Sequence, residues 1–132
     1  MEIPFAMFAD HVSTTNDGKL NILGVFETVK VSAGSALAQC FLLYRVEANR
    51  EELLNPQAVA ASVHKPDGTE VMRFETSLMF GNVSGSPAGT VFRANVALCL
   101  QGVRFDIAGE WKARFMGGGG ELAQITLLVE LR

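Results

Sequence analysis

The sequence holds 132 residues, 48% hydrophobic and 19% charged, with a net charge of −3 at pH 7. That is one domain's length, enough chain to bury its own core, and the composition excludes a disordered chain. A pI of about 5.3, with no Lys/Arg cluster, excludes nucleic-acid binding by bulk positive charge.

Taken in chain order, the apolar period is two, the spacing of half-buried strands. A first strand is predicted over residues 3–10. The segment Met1-Glu2-Ile3-Pro4 has no basic n-region, so no signal peptide is expected. No apolar run reaches the 18 or so residues of a membrane span. Residues 10–17 read as a loop holding oxygen ligands, including Asp10 and Asp17, without the EF-hand pattern. Asn16-Asp17-Gly18-Lys19 is a turn signal leading into a strand over 20–31. Further strands are predicted over 38–47, 59–65, 70–80, 90–101, 110–116 and 121–131. Asn49 and Glu52 have capping-box spacing for one helical turn near 50–54, ended by Asn55-Pro56. Pro66-Asp67-Gly68 joins two strands, and residues 81–89 form a polar loop. Trp111, Ala113 and Phe115 alternate with charged residues, as do Ala123, Ile125, Leu127, Val129 and Leu131 with polar ones. Gly117 to Gly120 lie between these two runs and read as a hairpin tip rather than a phosphate loop, because no Gly-Lys-Ser/Thr follows. About eight short strands in one domain, residues 1–132, predict an all-β antiparallel sandwich, with a closed barrel as the alternative.

Strand parity turns Cys40 inward and Cys99 outward, so a bridge between them is not expected. Two free thiols fit a cytoplasmic protein. An antibody-type disulfide fails as well: Trp111 follows both cysteines, and position 97 is Ala where a tyrosine corner needs Tyr. His11 and His64 show no nucleophile–base or zinc spacing, so neither an enzyme nor a cofactor is expected. The glutamates sit singly in alternating strands, without paired acid/base spacing.

The outer strand faces carry the informative departure. Phe41 and Leu43 lie between Gln39 and Arg45, Ala97 and Cys99 lie between Asn95 and Gln101, and Leu128 lies between Thr126 and Glu130. A sandwich's outer face should be polar, so Phe41, Leu43, Ala97 and Cys99 are the expected interaction surface. The expected function is a non-enzymatic protein-interaction or assembly module. Its expected partner is a protein, either an unknown one or a second copy in a homodimer, with no nucleic acid and no membrane. Cover within the chain by residues 49–58 or 81–89 is the competing account of this face. The alternative functions are a small-ligand or calcium-binding sandwich and an enzyme of unrecognised type.

Phe8-Ala9-Asp10, followed by Asp17-Gly18-Lys19-Leu20-Asn21-Ile22-Leu23-Gly24-Val25-Phe26, resembles a family of short bacterial proteins of unknown function. Tyr44-Arg45-Val46-Glu47, Pro66-Asp67-Gly68 and Gly109-Glu110-Trp111 fit the same layout. The resemblance spans nearly the whole chain. It implies an immunoglobulin-like β-sandwich and a bacterial cytosolic origin, and it transfers no catalytic residue. The four-glycine run is longer than the turn the resemblance implies.

Overall fold

Alternating residues become strands where one side can face an apolar interior. A computed structural model describes residues 1–32 and 40–132. Its elements are β1 (Ala6–Thr14), β2 (Leu20–Phe26), β3 (Thr28–Val31), β4 (Phe41–Asn49), α1 (Arg50–Leu53), β5 (Ala58–His64), β6 (Glu70–Ser77), β7 (Val91–Cys99), β8 (Gly109–Gly117) and β9 (Gly120–Leu131). They form a four-stranded sheet in the order β2-β1-β4-β7 and a five-stranded sheet in the order β3-β9-β8-β5-β6. The pairing is antiparallel except where β3 runs parallel to β9. The fold is therefore a two-sheet β-sandwich, and the closed-barrel alternative fails because the two sheets keep separate edges.

The inner faces meet as the alternation requires. Phe8, Leu42, Tyr44 and Val46 from one sheet pack in a single core with Val59, Trp111, Phe115 and Leu127 from the other. Tyr44 and Phe115 touch across the interior with ring centres 4.8 Å apart. Trp111 packs against Phe105 and donates its indole N–H to the Ile107 carbonyl at 2.8 Å. A buried indole donor finds its partner here, so the ring contributes its full apolar area without an orphaned polar group.

The expected strand over 20–31 is instead two strands in different sheets. The chain bends at Glu27, with β2 pairing to β1 and β3 pairing to β9. The crossing keeps both ends apolar and inward: Phe26 stacks on Phe8 at 6.2 Å, while Val31 is buried in the core. A period-two pattern looks the same whether or not the strand changes sheets. The expected loop over 10–17 is also corrected, because β1 continues to Thr14. The expected strand 70–80 stops at Ser77. Positions 38 and 39 of the expected strand 38–47 lie outside the described residues, and β4 runs on to Asn49.

The turns follow their sequences. Gly18 donates to the Thr15 carbonyl at 3.0 Å and Gly68 to the Lys65 carbonyl at 2.9 Å, and both glycines have positive φ. Asp-Gly thus closes two hairpins in the same way, with the Gly taking the left-handed position. In the glycine run, Gly117 pairs with Gly120, so the tip is only Gly118-Gly119, at φ 58° and 85°. Two central residues with positive φ give the primed turn that matches strand twist. The helical turn is capped as expected: Asn49 Oδ1 accepts from the Glu52 N–H at 2.8 Å, and Glu52 returns the bond to Asn49.

Candidate functional site

Register places the outer face of the four-stranded sheet in rows. Val25 lies opposite Ala9, Ala9 opposite Phe41, and Phe41 opposite Cys99. This row is apolar across all four strands. The next row is Met7, Leu43 and Ala97. Beyond it the face turns polar: Arg45 lies opposite Asn95 and Glu47 opposite Arg93. Arg45 Nε donates to Asn95 at 2.9 Å while its guanidinium lies over the Phe5 ring at 5.0 Å, and Arg93 pairs with Glu47 at 2.9 Å.

Of the four expected surface residues, Ala97 and Cys99 are exposed and Phe41 is half-buried. Leu43 is a correction: its side chain is 0% exposed and cannot touch a partner. It belongs to a second apolar cluster with Ala9 and Val12, against which Phe5, Met7, Leu20, Ile22 and Phe41 pack. The cover thus comes from the N-terminal strand and its hairpin, not from residues 49–58 or 81–89. The 81–89 loop is instead tied to α1, through Arg50 to the Ser84 carbonyl at 3.1 Å and Gly89 N–H to Glu51 at 3.2 Å. Sequence reasoning missed Val25, which is 58% exposed at the edge of the apolar row. Its signal was present, since Leu23 and Val25 are two apolar residues of like parity in an amphipathic strand.

The cysteines stand as parity predicted, with Cys40 buried, Cys99 exposed and neither in a disulfide. Burial pushes the Cys40 thiol up to about 12, with Asp10 and Cys99 adding smaller contributions. Such a thiol stays protonated and is a poor nucleophile at neutral pH. The oxygen-rich stretch does not form a ligand cradle. Asp17 instead bonds the Thr15 hydroxyl within its own turn, and this bond, together with Lys19, holds the carboxyl below its usual range. Among the described residues, no three His, Cys, Asp or Glu side chains gather as a metal would require.

Sequence reasoning also missed a contact on the other sheet. Ser62 Oγ and His64 Nε2 are 2.8 Å apart, and His64 Nδ1 is 3.3 Å from the Gly68 carbonyl. Two residues apart on one strand, they share a face, which the period-two rule could have revealed.

A family model for DUF6941, a family of unknown function, matches residues 4–130. The chain belongs to that family. No curated protein matches the sequence. A solved immunoglobulin-like protein from Pseudomonas aeruginosa is 18% identical, with 98% of this chain and 95% of that one covered at a TM-score of 0.42. In this DUF6941 chain the opening motif has structural tasks. Ala9 sits in the middle of the apolar row, Asp17-Gly18 closes the first hairpin, and Phe26 enters the core. Gly24 has φ 67°, and a Cβ there would stand 2.1 Å from Asp10 Oδ2. Only a residue without a side chain lets the Asp10 carboxylate lie across the neighbouring strand in this way. Among the described residues no helix is long and apolar enough to cross a membrane.

Proposed function

We propose that the chain is a non-enzymatic interaction module of the bacterial cytoplasm that docks through the outer face of its four-stranded sheet, and that its partner is a second copy. The observation that carries this reading is the row Val25–Ala9–Phe41–Cys99, apolar across the whole sheet and accessible at both edges. A two-fold axis through such a face sets the apolar half on its own copy. The polar half suits the same operation, because Arg45, Glu47 and Arg93 bring both signs of charge to one patch. Ser62, the serine bonded to an imidazole, is only 3% exposed, which supports a role without catalysis. The two free cysteines support a reducing compartment.

The test is gel filtration with light scattering on the wild type, Phe41→Ser and Val25→Lys. The reading expects a wild-type mass approaching twice 14.2 kDa at high concentration, and 14.2 kDa for both variants. A wild type that stays at 14.2 kDa up to hundreds of micromolar overturns the second copy as partner.

A further inference from the structure

The outer face of the five-stranded sheet carries different chemistry. Ser62 lies between Arg73 and Arg114 in the register, and His64 lies opposite Lys112. Arg114 is next opposite Gln124, and Lys112 opposite Thr126. The imidazole of His64 is held at both nitrogens. With Nδ1–H donating to Gly68, Nε2 accepts from the Ser62 hydroxyl, so the ring is fixed as a wall and spends no polar atom on solvent. Beside that wall is a groove of about 360 Å³, lined by His64, Lys65, Glu110, Lys112, Arg114 and Gln124.

Which charges in this groove are already neutralised decides what it can hold. Lys65 pairs with Asp106 at 3.1 Å. Arg114 uses Nε to reach Glu121 at 2.7 Å, which leaves its terminal N–H groups for another acceptor. Among the described residues the Lys112 ammonium makes no ion pair, although Glu110 lines the groove two positions away on the same face. Of the three cations lining this groove, Lys65 and Arg114 are thus already paired, and Lys112 and Glu110 are its charged groups without an ion pair among the described residues.

We propose that this groove binds the oxyanion of a small molecule, a carboxylate or a phosphate, between Lys112 and Arg114. Lys112 supplies the unpaired charge and Arg114 the directional N–H donors. The Gln124 amide and the Thr126 hydroxyl stand beside them on β9 as neutral donors. His64 is a positioning residue, locked by Ser62 and Gly68 so that its ring bounds the groove next to Lys112. The site lies on the opposite sheet from the docking face and does not depend on it.

The test is a ¹⁵N-correlation titration with inorganic phosphate and, separately, acetate, each against sodium chloride at matched ionic strength. The expected result is saturable shifts confined to Lys112, Arg114, Gln124 and their neighbours with at least one oxyanion. The better of the two identifies the source. Lys112→Gln and Arg114→Gln should each weaken binding about tenfold, the factor set by 1.4 kcal/mol. Lys112→Arg should retain it, and Lys30→Gln, on β3, should leave it unchanged. Each variant's otherwise superimposable spectrum shows that it is folded. Shifts no larger than those with chloride, shifts spread over all Lys and Arg, or full binding by folded Lys112→Gln would overturn the proposal.

Discussion

At Gly24 two constraints meet, a left-handed φ of 67° and the Asp10 carboxylate where a Cβ would stand. The carboxylate can swing aside, because no hydrogen bond from the described residues anchors it, whereas the backbone cannot change without moving the strand. Gly24→Ala should therefore cost about 1–3 kcal/mol, mostly from φ. Most of that loss should persist in an Asp10→Ala background, and Gly24→Asn should cost less, because Asn tolerates the left-handed region. Urea titrations of the double-mutant cycle check this, and a coupling above about 0.5 kcal/mol would shift the weight to the carboxylate. The thiols give a second residue-scale prediction. A thiol reagent under native conditions should modify Cys99 and leave Cys40 until the chain unfolds, because only the thiolate reacts and Cys40 is both buried and protonated. Glu52 gives a third. The terminal ammonium of Met1, and then the Asn49 N–H, hold its carboxyl below the ordinary 4.5. A depressed carboxyl contributes stability that is whole above its unfolded value and is lost as pH falls through its folded value. Glu52→Gln should thus lower stability at neutral pH and flatten the decline below pH 4.5, as denaturation across that range would measure.

At the scale of elements, the hairpin of β8 and β9 is closed by two glycines where the turn asks for φ > 0 at both positions. Asn meets that demand at the first position and has fewer unfolded conformations to lose. A Cβ at Gly118 meets only Met1 Cε at an ordinary 3.5 Å, whereas at Gly117 it would stand 3.0 Å from Leu122 and 3.2 Å from the Ala58 carbonyl. Gly118→Asn should therefore stabilise by about 0.4–1 kcal/mol, and Gly117→Asn should destabilise. Thermal melts of the two variants separate these signs. Turns, caps and most strands were legible in the sequence because each depends on neighbours within a few positions: Asp17-Gly18, Asp67-Gly68, Asn49 with Glu52, and the alternation around Trp111. The break at Glu27 was not legible, because it depends on which sheet has room for Phe26 and which for Val31. The outward direction of Leu43 was legible too, but its burial was not. That burial depends on Phe5 and Met7 arriving from a strand far away in sequence, and no count of alternation contains them. Val25 was missed for the converse reason: parity marked it, but only the order of strands shows that it completes a row with Phe41 and Cys99.

At the scale of the whole molecule, the strength of the proposed self-association follows from what the face still exposes. Full burial of a large apolar side chain is worth about 1.5–3 kcal/mol. Val25 is 58% exposed and has roughly half of that left to gain, whereas Phe41 is already mostly buried and has at most about a third. One of each from each subunit contributes about 2–5 kcal/mol, against an association cost of about 4–15 kcal/mol. The apolar row thus reaches only the lower part of that cost. The remainder has to come from Cys99, Ala97 and the polar half around Arg45 and Glu47. The dimer should accordingly be weak, half-associating well above nanomolar concentration, since about 1 nM would need roughly −12 kcal/mol net. Sulfate, which strengthens apolar burial, should shift the equilibrium toward the dimer, while sodium chloride at equal ionic strength should shift it less. Sedimentation across a hundredfold dilution series, with and without sulfate, measures both effects. A dimer that survives to nanomolar concentration would mean that a much larger surface than this row is buried. A dimer that dissolves in both salts at equal ionic strength would assign the contact to Arg45, Glu47 and Arg93 instead of to Phe41 and Val25.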